Sequence, residues 1–147
     1  MKQVYKITLV GILFLLGSQV WGEETKTTKV LEELFQLHDM LVKESTSKLN
    51  VKQLEKLLKQ GGDSKQDSET FNKAIPSLQK LEKANSLESK KNAYAELIET
   101  LTIVVKKNNK AGANLFYCPM VKKKWIAKGD TIVNPYDKEM RNCGEKI

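Results

Sequence analysis

Residues 27–46 read TTKVLEELFQLHDMLVKEST, and the spacing of their apolar side chains decides the fold class. The apolar residues recur every three or four positions, which places them on one face of a helix. They are Val30, Leu34, Leu37 and Leu41, with Leu31, Phe35 and Val42 widening the stripe. Thr27 or Thr28 is a suitable first cap, since a threonine oxygen accepts hydrogen bonds from free backbone N–H groups. The stretch therefore predicts an amphipathic helix.

Three further stretches repeat this pattern. Residues 50–62 predict a helix that Asn50 caps and that Gly61 and Gly62 end. A third helix is expected to start near Ser68, and Pro76 either kinks it or marks its first turn. Residues 86–107 predict a fourth helix, although its end, LTIVV, is also compatible with a short strand.

Helical segments joined by short connections are typical of an antiparallel bundle. The sequence therefore predicts an all-α fold, with a four-helix bundle over about 29–108. Periodicity stops beyond this point, and residues 113–147 are predicted to be an irregular tail that folds back on the bundle. Residues 23–28 are predicted to be a flexible N-terminus, so that 29–147 form one domain.

The first 22 residues have the composition of a Sec signal peptide. Lys2 and Lys6 precede the apolar run ITLVGILFLLG, and a polar junction follows at Glu23. The apolar run is too short for a permanent membrane span. No cysteine lies at the junction, so a lipid-modified N-terminus is not expected. The sequence predicts a periplasmic or otherwise exported protein with no membrane span after cleavage.

Composition argues against several classes of function. The chain has one histidine, His38, and neither a nucleophile elbow nor a glycine-rich phosphate loop is recognisable. We therefore expect no enzyme and no catalytic residue. The formal net charge of +7 is interspersed with acidic residues, and no basic-aromatic recognition module is present. Nucleic acid is therefore not an expected partner.

The sulfur atoms of the tail carry the remaining chemistry. Cys118 stands two residues before Met120, and Met140 three residues before Cys143. In an oxidising compartment the two cysteines are expected to form a disulfide that closes a loop of about 25 residues. Alternatively, thiolate and thioether sulfur together favour a soft ion such as Cu(I). The candidate metal ligands are Cys118, Met120, Met140 and Cys143, with His38 as a remote fifth.

Both alternatives require the two cysteine segments to become neighbours. For a disulfide, the two Cα atoms must lie within about 7 Å. The Asn134–Pro135 pair predicts a turn, and the segment after it predicts one or two helical turns that place Met140 beside Cys143. Trp125 and Tyr136 are expected to anchor the tail, because aromatic rings supply large apolar area.

The order of these tail residues resembles a known family. The elements YCPM (117–120), Trp125, NPY (134–136), Met140 and CG (143–144) follow the closing signature of the family catalogued as domain of unknown function 3347 (DUF3347). The resemblance covers about residues 29–145. Carried over position by position, the matching residues are Cys118, Pro119, Met120, Trp125, Asn134, Pro135, Tyr136, Met140, Cys143 and Gly144.

The resemblance implies a small exported helical domain. Members of that family occur alone or attached to the periplasmic adaptor subunits of heavy-metal efflux systems of the copper/silver type. Our leading expectation is therefore a periplasmic protein that captures Cu(I) or a similar soft metal and hands it on. The alternative is a non-catalytic interaction module with a structural Cys118–Cys143 disulfide, whose partner is an efflux adaptor or another envelope protein.

Overall fold

A computed structural model of the chain describes residues 24–44, 51–108 and 112–147. The predicted signal peptide and Asn50 lie outside these ranges. Within them, the chain forms four helices and three strands: α1 Lys26–Val42, α2 Lys52–Lys59, α3 Lys65–Lys83, α4 Leu87–Lys107, β1 Ala113–Cys118, β2 Lys123–Lys128 and β3 Glu145–Lys146. None of the helices in this part of the chain is long and apolar enough to cross a membrane.

Helices occur at all four predicted places, but three of them begin elsewhere than expected. The N-cap of α2 is Val51, which makes no side-chain cap hydrogen bond. Helix α1 is capped by Thr25, whose side chain accepts from the Thr28 N–H, so the predicted cap at residue 27 or 28 is wrong. Thr27 is instead buried, and its hydroxyl accepts a hydrogen bond from the Asp63 N–H. Helix α3 begins at Lys65 behind a Ser64 cap, a few residues earlier than predicted.

The two ambiguous stretches are both helical. Pro76 lies in the interior of α3, which continues to Lys83. The LTIVV stretch belongs to α4, where Leu101, Val104 and Val105 are buried. These three side chains share the apolar face of α4, so helical packing outweighs the β-propensity of the branched residues.

The prediction of an all-α fold is wrong, because the tail forms an antiparallel sheet and the protein is mixed α/β. Strand β1 lies in the middle, between β2 and the two-residue β3. Phe116 faces Trp125 across the β1–β2 pair, and Tyr117 faces Glu145 across the β1–β3 pair. Strand β1 is buried on both faces, so it lacks the alternation of apolar and polar residues that identifies a half-exposed strand.

The sheet and the helices share one core. A continuous cluster of buried apolar side chains extends from the helices into β1 and β2, where Leu115, Phe116, Trp125 and Ile126 are almost completely enclosed. Ion pairs support this packing at the surface. Lys124 pairs with Glu99 of α4 at 2.9 Å, and Lys128 pairs with Glu32 of α1 at 3.0 Å. The tail is therefore folded back on the helices, as predicted, but as a sheet.

Candidate functional site: the disulfide and its surroundings

Cys118 and Cys143 are joined by a disulfide, with their Cα atoms 5.5 Å apart. This confirms the predicted pairing and the predicted proximity of the two segments. Cys118 is the last residue of β1 and is completely buried, whereas Cys143 precedes β3 and is partly exposed. The bond therefore links the end of the central strand to the segment that leads into the shortest one.

Three aromatic side chains of the tail pack against one another. Trp125 stacks on Phe116 with ring centres 5.7 Å apart and meets Tyr136 edge-on at 6.3 Å. The Trp125 ring also lies directly against Gly144, where an added Cβ would come within 2.4 Å of the indole. Residue 144 is therefore a glycine because the indole occupies the space of a side chain. The two predicted aromatic anchors do pack the tail, with Gly144 fitted to one of them.

The Asn-Pro-Tyr segment forms the predicted turn. The Asn134 side-chain oxygen accepts from the Tyr136 N–H at 2.9 Å, which is an Asx turn with Pro135 at its centre. Asn134 and Pro135 are both buried. The Tyr136 hydroxyl donates to the Lys124 carbonyl of β2, and burial raises the pKa of this hydroxyl well above its ordinary value. The segment thus binds the sheet through its backbone and its phenol.

A polar clasp that the sequence analysis missed holds the tail to the helices. The Lys91 ammonium of α4 donates to the Tyr136 carbonyl at 3.0 Å and contacts the Glu44 carboxylate at 3.3 Å. Arg141 donates to the Asn134 carbonyl at 2.7 Å and to the Val42 carbonyl at the end of α1 at 2.6 Å. One signal was available, because Lys91 stands three residues before Tyr94 on the apolar face of its helix.

The methionines are placed differently from the cysteines. Met120 is 72% exposed, in the turn between β1 and β2, and Met140 is half-buried. The Cys143 N–H donates to the Met140 carbonyl at 2.9 Å within a tight turn, so the predicted helical turns are wrong. In this oxidised state both cysteine sulfurs are bonded to each other, and the described residues contain no group of three or more His, Cys, Asp or Glu side chains arranged to hold a metal.

His38 makes other contacts. It is buried on α1, and its Nε2 donates to the Val133 carbonyl at 2.8 Å. Its Nδ1 lies 3.2 Å from the Asp39 carboxylate. Both ring nitrogens therefore have partners, and neither partner is a sulfur. The hydrogen bond to Val133 ties the segment before the Asn134 turn to α1, which is a structural use of this histidine.

Comparisons with known proteins found no counterpart: no family model matches the chain, and neither the curated proteins nor the solved structures contain a match. The resemblance to DUF3347 stays a prediction that the quoted tail residues carry. Within the structure, the ten residues of that resemblance fall into three groups. Seven of them join or pack the tail: Cys118, Trp125, Asn134, Pro135, Tyr136, Cys143 and Gly144. Met140 is half-buried, and Pro119 and Met120 are exposed.

Proposed function

We propose that this protein is an exported, non-catalytic interaction module whose disulfide-closed tail forms the contact surface. The observation that carries the proposal is the bond between Cys118 and Cys143. Stable disulfides belong to oxidising compartments, which supports the predicted export signal. The bond also fixes the turn at residues 119–122, here called the hairpin tip, relative to the helices. A surface that is rigid before binding loses less conformational entropy when a partner binds.

The chemistry of the hairpin tip defines the partner. Met120 projects from it as an exposed apolar side chain, and Pro119 and Lys122 are also exposed. Lys122 has a left-handed backbone with φ of 53°, and its N–H donates to the Cys118 carbonyl at 2.8 Å. The tip thus offers one adaptable thioether beside a positive charge. We expect an envelope protein, such as an efflux adaptor, with an apolar pocket bordered by carboxylates.

Site-specific photo-crosslinking tests this proposal in intact cells. A photoreactive residue at position 120 is expected to give one discrete adduct with an envelope protein. Position 103 is the matched control, because Ile103 is also an exposed apolar side chain but lies on α4. The adduct should weaken strongly in the Cys118→Ala/Cys143→Ala variant. Equal adducts at both positions, or none at position 120, would refute the proposed surface.

A second candidate function concerns the reduced chain. We infer that the reduced thiols, together with Met120 and Met140, form a transient Cu(I) site that captures the ion and hands it on. The supporting observation is the 5.5 Å Cα separation of Cys118 and Cys143, which keeps two soft ligands adjacent once the disulfide is opened. Met120 follows Cys118 by two residues, and Met140 shares the tight turn with Cys143. Neither methionine is locked in the interior of the core.

Competition with a colorimetric Cu(I) chelator tests the second candidate. The reduced wild-type chain should withdraw one equivalent of Cu(I), and the oxidised chain should withdraw none. The Met120→Ala/Met140→Ala variant should bind more weakly, and Cys118→Ala/Cys143→Ala should lose binding. The His38→Gln variant should retain wild-type binding if its circular dichroism spectrum is unchanged, since His38 is engaged with Val133. Indistinguishable weak binding by all forms would remove this candidate and leave the first intact.

A further inference from the structure

The two sulfurs of the disulfide have unlike surroundings. Cys118 is 0% exposed and is the last residue of β1. Two residues earlier in this strand, the Phe116 ring is stacked on Trp125. Cys143 is partly exposed, and it directly follows Asn142, which is exposed. One side of the bond therefore faces the core and the other borders solvent. Access of a second thiol to each sulfur is correspondingly unequal.

We propose that Cys143 is a thiol–disulfide exchange site at which a dithiol protein reduces this chain, with Cys118 as the protected leaving thiol. The proposal goes beyond the interaction function, and it holds whether or not the reduced chain binds copper. It assigns a direction to the reaction. The mixed disulfide with the partner forms on Cys143, and Cys118 never leaves the core during the exchange.

The exchange proceeds in two steps. A thiolate of the dithiol protein attacks the Cys143 sulfur, a new S–S bond forms there, and the bond to Cys118 breaks. The bonding electron pair leaves with the Cys118 sulfur, which takes a proton from water. The second thiol of the dithiol protein then attacks the sulfur of the same protein that is bonded to Cys143. Cys143 is released as a thiolate and is protonated. The dithiol protein is oxidised to its disulfide, and this chain gains two electrons and two protons.

Steric access determines which sulfur is attacked. The incoming sulfur must approach roughly in line with the bond that breaks, from the side opposite the leaving sulfur. Cys118 has no exposed surface from which a second sulfur could approach it, whereas Cys143 is partly exposed and directly follows the exposed Asn142. Lys123 faces Cys118 across the β1–β2 pair, but its ammonium donates to Asn92 at 2.6 Å and lies 5.1 Å from the centre of the Tyr136 ring. The exposure of the Cys143 sulfur, and not a nearby cation, therefore sets the direction of the exchange.

Trapping of the mixed disulfide tests the assignment on the unaltered chain. The probe is a thioredoxin-type protein whose resolving cysteine is replaced by serine, so that it cannot complete the exchange. Oxidised wild-type chain should form a covalent adduct under native conditions, and peptide mass spectrometry should find the probe on Cys143 at least about tenfold more often than on Cys118. The same reaction in denaturant is the control and should show no such preference. Absence of a native adduct, or an adduct on Cys118 to an equal extent, would overturn the proposal.

Single-cysteine variants give a second measurement. Cys118→Ala leaves the Cys143 thiol and Cys143→Ala leaves the Cys118 thiol, each of which is titrated with a chromogenic aryl disulfide. The Cys143 thiol should react at least about tenfold faster in the folded chain, and the two rates should converge in denaturant. Equal rates in the folded state would contradict the assignment. If either variant fails to fold by circular dichroism, the trapping experiment on the wild-type chain decides alone.

Discussion

The helical region, described over 24–44 and 51–108, and the tail, described over 112–147, are held together by different means. The helices bury repeated apolar stripes, in which Leu34, Leu58 and Leu97 are typical members. The tail has a disulfide, an indole packed against a glycine, an Asx turn and a polar clasp. Helical packing is built from many interchangeable contacts, whereas each contact of the tail depends on one residue type.

This difference predicts unequal tolerance to substitution. Swaps between apolar residues of similar volume are usually mild in a helical core, because neighbouring side chains repack. A glycine beneath an indole, or an asparagine that closes an Asx turn, has no such substitute. Yet the two regions share one core, since β1 and β2 contribute to the same buried cluster as the helices. We therefore expect damage in the tail to lower the stability of the whole chain.

The largest expected effect comes from Trp125→Ala. Trp125 is completely buried and contacts Phe116, Tyr136 and Gly144. Removal of a buried tryptophan ring costs about 3–5 kcal/mol in the free energy of unfolding. Because the core is shared, the loss should appear in the helical signal, as one unfolding transition by far-ultraviolet circular dichroism.

Two controls sharpen this comparison. Ile103→Ala removes an exposed apolar side chain and should change stability by less than about 0.5 kcal/mol. Leu97→Ala, in the buried face of α4, should cost about 2–5 kcal/mol through the helical region alone. If Trp125→Ala leaves the helical transition unchanged while only the tail unfolds, the two regions are independent units and the shared-core argument is wrong.

The next effect comes from removal of the disulfide. The bond closes a loop with a sequence separation of 25, for which the chain-entropy argument gives roughly 3 kcal/mol. Cys118→Ala/Cys143→Ala should lower the free energy of unfolding by about this amount in urea titration. Reductant should lower the stability of the wild-type chain and leave that of the double variant unchanged. If reductant lowered the stability of both proteins, its effect would not arise from the Cys118–Cys143 bond.

Gly144→Ala is expected to cost about 1–3 kcal/mol by overpacking. The added Cβ would lie 2.4 Å and 2.8 Å from two ring atoms of Trp125, and 3.1 Å from a methyl group of Ile132. Trp125→Phe shortens that ring, so the double variant Gly144→Ala/Trp125→Phe should be more stable than the sum of the single costs implies. Thermal melts of the four proteins give this coupling directly. Additive costs would mean that the Trp125 indole is not the reason why a larger residue is unfavourable at position 144.

The sequence predicted the helical region well because helical burial has a period. Apolar residues three and four apart indicated each helix, and even the β-branched end of α4 followed this period. The strands were missed for a physical reason. Strand β1 is enclosed on both faces, and residues 119–122 connect it to β2 without the Asn-Gly or Asp-Gly pair that marks tight hairpins. Because the tail has neither the alternation of apolar and polar residues nor a typical hairpin turn, its sequence predicted irregular structure.

The candidate site was predicted in part. The disulfide, the Asn134 turn and the two aromatic anchors follow from chemistry that single residues carry. The clasp was missed because Lys91 and Arg141 bind backbone carbonyls, those of Tyr136, Asn134 and Val42. Because every residue has a backbone carbonyl, the sequence alone does not indicate which carbonyl a distant lysine or arginine will bind. Such contacts become visible only when the fold is known.

The smallest expected effect on stability comes from Asp63, which lies between α2 and α3 and binds the start of α1. This carboxylate accepts from the Lys26 N–H at 3.1 Å and the Thr27 N–H at 3.2 Å, at the start of α1. Burial acts to raise the pKa of Asp63, but hydrogen bonds from Thr25, Thr27 and Lys26 outweigh it and hold the pKa below its ordinary value of 3.8. A folded-state pKa below the unfolded one contributes stability above about pH 4 and loses it as the pH falls through the folded value. Asp63→Asn should therefore cost about 0.5–1 kcal/mol at pH 7, as expected for an acidic group at a helix start. The cost should shrink towards zero near pH 2, in urea titrations at both pH values.

Glu139→Gln is the matched control, since this exposed carboxylate of the tail has no such hydrogen bond to the described residues. A cost for Asp63→Asn that does not depend on pH would show that the charge of Asp63 plays no part in closing α1.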